Sequence, residues 1–267
     1  MIDLQKASLT KRFSAYLLDF ICVCILATMF AWLFSLAVDF NGWYEKYVDT
    51  QARYEEKYGI NTLTSEEYAA LSDAEKKAYD EKNQLAMVEA EKALQAAYSA
   101  KDPEAIETVK VINMVNNLIT LTVTFSLLFG VLVVEFILPI IFKNGQTLGK
   151  KVFSVAVMRT NSVKINNVCL FIRSILGKYA IETMIPAYIA MKLFLGSANI
   201  FDLLLVVALL VSQLIIMAVT KNNSLIHDLL SDTVVVDMSS QLIFDTEESM
   251  LKFKENLHDE KVNSSTY

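Results

Sequence analysis

Four apolar stretches, at residues 13–38, 109–142, 174–195 and 201–220, are each long enough to supply the ~20 helical residues that cross a ~30 Å hydrocarbon layer. The chain is 54% hydrophobic and 20% charged, with a mean hydropathy of +0.38, so its charges must be segregated from its apolar residues. They are, and the pattern predicts an all-α membrane protein with four transmembrane helices. Lys6, Lys11 and Arg12 precede the first stretch, as in a signal peptide. The apolar run outlasts the ~7–15 residues of a signal core, and Trp32, Trp43 and Tyr44 mark an expected outer interface. We read it as a retained span.

Basic residues fix the expected orientation. Lys6, Lys11 and Arg12 flank the first span, and Lys143, Lys150, Lys151, Arg159 and Lys164 follow the second. This excess places both flanks, and with four spans both termini, on the cytoplasmic side of the plasma membrane. The expected division is therefore 1–38, amino terminus and first span; 39–108, an extracytoplasmic insertion; 109–142, the second span; 143–168, a cytoplasmic turn and β-hairpin; 169–220, the third and fourth spans; and 221–267, a cytoplasmic strand and tail.

The insertion is acidic and helix-prone. "SEEYAALSDAEKKAYDEKNQLAMVEAEKALQAAYSA" lacks Gly and Pro, and Leu85, Val88, Ala93, Leu94 and Tyr98 recur at helical intervals. Thr64 and Asp102-Pro103-Glu104 are helix starts. Two or three amphipathic helices are expected, the last running from Pro103 into the second span. Such an insertion either packs on itself or binds a protein partner; it holds no His and no Cys.

"KNGQTLGKKVFSVAV", residues 143–157, has the look of a phosphate loop. A P-loop needs four residues between its glycines and a Ser or Thr after the lysine; Gly145 and Gly149 enclose three, and Lys150 is followed by Lys151. We read a turn out of the membrane at Gly145 and Gly149, a strand, a turn at 160–162 and a second strand. "TVVVD" at 233–237 completes a small cytoplasmic β-sheet. From 239 onward a short helix with a frayed end is expected.

Ionisable residues lie within the apolar stretches: Asp19 in the first, Glu135 in the second, and Arg173, Lys178 and Glu182 at or in the third. An intramembrane charge costs a few kcal/mol to insert, so these groups should face protein or water. Arg12 and Asp19, almost two turns apart, are too distant for easy pairing, whereas Lys178 and Glu182 share a face. Arg12, Arg173 and Lys178 are also placed to snorkel to headgroups. Pro139 and Pro186 free backbone carbonyls. After the fourth span come Ser224, expected as a helix cap, His227 beside Asp228 as a proton relay, and Asp232 one turn on. With one histidine this set is under-ligated for zinc. Cys22, Cys24 and Cys169 imply no disulfide framework, and no metal, cofactor or nucleic acid is expected. There is no nucleophile elbow and no zinc-protease helix, so an enzyme is not expected.

Taken in order, "KRFSAYLLDF", "GQTLGKKVFSVAVM" and "SLIHDLLSDTVVV" resemble the RDD family of integral membrane proteins, named for one arginine and two aspartates. The resemblance covers roughly 6–30, 125–180 and 205–237 and leaves out the insertion. It maps the arginine to Arg12, the first aspartate to Asp19 and the second to Asp228. It implies a transport role, with cation/proton exchange in some relatives, and no substrate. On this reading Arg12, Asp19, Glu135, Lys178 and Glu182 are ion- or proton-binding candidates, and Gly145, Gly149, Lys150, His227, Asp228 and Asp232 are cytoplasmic motif candidates. The expected partners are the lipid bilayer, a cation, a proton, a second copy of the chain and a protein bound by the insertion. The alternative is a scaffold or sensor that transports nothing and binds partners through its insertion and its sheet.

Overall fold

A computed structural model describes residues 4–60 and 62–264. The order is α1 (Leu9–Ala37), α2 (Phe40–Tyr58), α3 (Ser65–Ala70), α4 (Asp73–Ser99), α5 (Pro103–Phe142), α6 (Leu148–Val152), β1 (Val155–Arg159), α7 (167–194), α8 (Ile200–Val219), α9 (Ile226–Leu230), β2 (Thr233–Asp237) and α10 (Glu247–Ser264). The expected frayed end at 265–267 lies outside the described residues. Two compact units result: one of residues 32–122, the other of the chain before and after it.

Among the described residues, three helices are long and apolar enough to cross a membrane: α1, α5 and α8. The third expected span is the helix α7, but Arg173, Lys178, Glu182 and Lys192 lower its hydropathy, so it does not join them. Both α5 and α7 contain π-helical stretches, Leu132–Ile137 and Ile172–Thr183. Such wide turns are rare and cluster at functional sites.

In the larger unit α1 buries a stripe of period four, Ala15, Asp19, Val23 and Ala27, which are small or medium side chains that let backbones approach. Two glycines meet it. A Cβ on Gly130 would stand 3.0 Å from the Val23 carbonyl oxygen, and one on Gly149 only 2.2 Å from that of Ala15. Val23 then packs with Val131, Val134 and Tyr179, and Tyr179 Oη donates to the Thr124 carbonyl at 2.9 Å.

The sheet pairs β1 and β2 antiparallel, Val157 opposite Val235. Its outer edges are occupied: Asp237 N–H donates to the Gln5 carbonyl (3.0 Å), and Arg159 N–H to that of Val163 (2.9 Å). Ala7, Val155, Val157 and Val235 pack on one face and Ala156, Met158, Val234 and Val236 on the other, which accounts for the unbroken β-branched run. The expected hairpin needs correction. Its second strand is reduced to isolated bridges, Lys164 to Met158 and Val163 to Phe244, and two residues on Asn166 already caps α7 by accepting from Cys169 N–H at 2.7 Å. Gly145, with φ +61, does make the turn, but Gly149 sits inside α6 as a contact residue.

The insertion forms the expected helices. Thr64 with Glu67, and Ser72 with Glu75, form capping boxes, and α5 starts at Pro103 with Asp102 Oδ1 accepting from Glu104 N–H at 3.0 Å. Its apolar periodicity predicted the helix but not its buried face: Leu85, Val88 and Tyr98 are exposed, while Ala90 is fully buried.

Gly149→Ala forces α6 off α1. We expect a loss of about 2 kcal/mol, typical of an overpacked contact, read as a lower unfolding midpoint of the full chain in detergent.

Candidate functional site

The ionisable residues of the larger unit assemble into two neighbouring groups, both fed by α7. In the first, Glu135 lies on the π-helical stretch of α5, with its carboxylate between two ammonium groups. Lys150 Nζ stands 3.2 Å from Oε2, and Lys178 pairs with Oε1. Pro139 has no N–H to give the Glu135 carbonyl four residues earlier; Ser174 Oγ donates to that oxygen instead, at 2.6 Å. The sequence placed Pro139 correctly as a source of a free carbonyl.

Lys150 reaches Glu135 because α6 is hooked onto α1. Thr147, the α6 cap, donates its hydroxyl to Asp19 Oδ2 (2.5 Å) and accepts from Lys150 N–H (3.2 Å), and Gly149 N–H donates to Asp19 Oδ1 (2.7 Å). Asp19, Thr147, Lys150 and Glu135 are all buried. Burial disfavours the Lys150 ammonium more than Glu135 favours it, with Lys178 adding repulsion, and its pKa is pushed down to about 8.

The second group centres on Asp228, buried at 1% exposure. Arg173 pairs with its Oδ1 and reaches Thr233 Oγ1 (2.5 Å), while Arg12 Nη2 lies 3.4 Å from Oδ2. Arg12 also donates to the Asn223 carbonyl at 2.7 Å. Burial alone would raise the Asp228 pKa, but the charges of Arg173, His227 and Arg12 and the Leu225 N–H outweigh it and hold the carboxyl well below the usual range. That Leu225 N–H bond (2.9 Å) means Asp228, not Ser224, caps α9; Ser224 N–H donates to Thr220 Oγ1.

His227 Nδ1 is 2.8 Å from Glu182, whose neighbourhood also includes Gln213. Gly177 clears the way: a Cβ there would fall 2.5 Å from His227 Cβ. Burial lowers the His227 pKa, and Arg173 adds to this, despite the raising effect of Asp228 and Glu182.

Several expectations change. Lys178 and Glu182 pair across helices, to Glu135 and His227, rather than with each other. Arg173 and Lys178 do not snorkel; each is held by a carboxylate. Asp232 stands apart, exposed, accepting from Thr160 Oγ1 at 2.6 Å and 4.0 Å from Arg159. Gly145 lies against Val157, where a Cβ would stand 2.8 Å from the Val157 Cβ. Sequence reasoning missed Thr147 and Thr233 as partners. Only the helix-cap position of Thr147 hinted at its role.

The RDD family model matches residues 6–232. The chain belongs to the RDD family. Comparison with curated proteins and with solved structures returns no match. In this RDD protein the residues mapped to the signature split between the groups: Arg12 meets Asp228, while Asp19 holds α6.

Two predictions follow from the second group. Asp228→Asn leaves Arg173 buried without its counter-charge, a loss of about 3–5 kcal/mol, read by thermal unfolding of the full chain. His227 has a folded pKa below its unfolded value of 6.5, so its stabilising contribution is complete above that value and is lost as pH falls through the folded one. Unfolding midpoints therefore decline as the medium is acidified below pH 6.5, and His227→Gln flattens that decline.

Proposed function

We propose that this RDD protein is a plasma-membrane transporter with four spans and cytoplasmic termini, and that it exchanges a cation for a proton. The observation that carries this reading is the Glu135 carboxylate shared by Lys150 and Lys178. Asp19, Glu135, Lys150 and Lys178 together balance to zero charge. When Lys150 gives up its proton, Glu135 loses one counter-charge, and a single monovalent cation restores neutrality. Protonated Lys150 and a bound cation are thus alternatives, which is the condition for exchange. The charged α7 crosses as the third span, with its ionisable groups turned toward these partners. A bundle of four helices is narrow, and a homo-oligomer encloses a route more readily.

One observation favours the scaffold reading: each carboxylate of the first group already has donors, as an ion-pair lock requires. Transport and lock separate cleanly. In proteoliposomes, sodium- or potassium-driven proton movement should rise as pH passes about 8. Lys150→Arg keeps the charge but cannot deprotonate; it should abolish the movement in protein of unchanged helicity and dispersity. Wild-type protein that moves no protons with either ion, or Lys150→Arg that moves them at the wild-type rate, contradicts exchange.

A further inference from the structure

The smaller unit carries a cleft that ion exchange leaves unused. It is a shallow, open cleft between α2, the end of α4 and the first turns of α5. Its walls have opposite charge. Arg53 and Lys57, one turn apart on α2, form the cationic side; Asp102, Glu104 and Glu107, at the start of α5, form the anionic side.

The two walls stand close, with Lys57 Nζ 3.3 Å from Glu104 Oε2. Between them lies apolar and aromatic surface. Tyr54 and Tyr58 lie with ring centroids 4.8 Å apart, and Leu94 and Ala97 complete the lining. Burial raises the Tyr54 pKa, as do Tyr58 and Glu91, so the phenol stays neutral.

This lining selects by charge. A simple anion would face three carboxylates, and a simple cation would face a guanidinium and an ammonium. A molecule carrying both charges about one carbon apart meets a favourable wall on each side. The Lys57–Glu104 bridge is no obstacle, since its side chains are 54% and 64% exposed, and such pairs cost little to open. We propose that this cleft binds a small zwitterion, an α-amino acid with an apolar side chain resting on the tyrosines and Leu94. The idea is independent of ion exchange and makes the insertion a ligand-responsive part of the protein.

The test is calorimetric titration of the full chain in nanodiscs with L-leucine and L-phenylalanine, and with two analogues, N-acetyl-leucine and leucine amide, that each lack one charge. At least one amino acid should bind, and each analogue should bind about tenfold more weakly. Arg53→Gln and Glu107→Gln, at exposed positions, should each weaken binding about fivefold with helicity unchanged. Binding should also fall as salt is raised. No heat from either amino acid at millimolar concentration, analogues that bind as tightly as leucine, or affinity untouched by both Arg53→Gln and Glu107→Gln would each overturn the proposal.

Discussion

Glu135 is 7% exposed on a helix otherwise rich in Val, Leu, Ile and Phe, and the arrangement around it follows from the need to neutralise its carboxylate. An unpaired charge there would cost several kcal/mol. One counter-charge, Lys178, comes from a neighbouring helix. The other, Lys150, comes from a five-residue helix too short to hold itself in place. That helix is fixed by Asp19 through Thr147 and Gly149. A charge on α5 thus dictates a polar residue on α1 and a glycine on α6, and the small side chains on the α1 stripe allow the close approach.

The helix α7 ties this arrangement to the rest of the larger unit. Ser174 and Lys178 serve Glu135, while Arg173 and Glu182 serve Asp228 and His227. These four residues lie within its π-helical stretch. Thr233, the Arg173 partner, opens β2, so the sheet is pinned to the ionic groups by the strand that closes it. Lys11 pairs with Asp237 at the other end of that strand, at 2.6 Å; hydrogen bonds from Lys11 and Ser239 take the Asp237 pKa down to about 2.

Much of this was legible in the sequence, for physical reasons. Length and hydropathy suffice for α1, α5 and α8, because a membrane helix needs a long apolar run. The β-branched runs at 155–159 and 233–237 announced the sheet, and Pro139 announced the carbonyl that Ser174 occupies. Pairing was harder to read. Spacing along one helix suggested Lys178 with Glu182, but partners on other helices are set by tertiary packing that no local periodicity encodes. The buried faces in the insertion were misjudged for the same reason: Leu85 and Val88 have helical spacing, yet the contact is made by Ala90. Asp232, one helical turn on from Asp228 in the sequence, is parted from it because α9 ends between them at Leu230, and Asp232 is exposed.

The central claim is that the Lys150 proton and a cation compete for the charge on Glu135. The most direct measurement is the titration of Lys150 itself, followed by nuclear magnetic resonance of isotope-labelled lysine in the full chain, assigned by Lys150→Arg, with and without sodium or potassium. The account predicts a midpoint at about 8 that moves to lower pH as one of these ions is added. A Lys150 ammonium that persists to the ordinary lysine range near 10.5, or a midpoint indifferent to both ions, would contradict it.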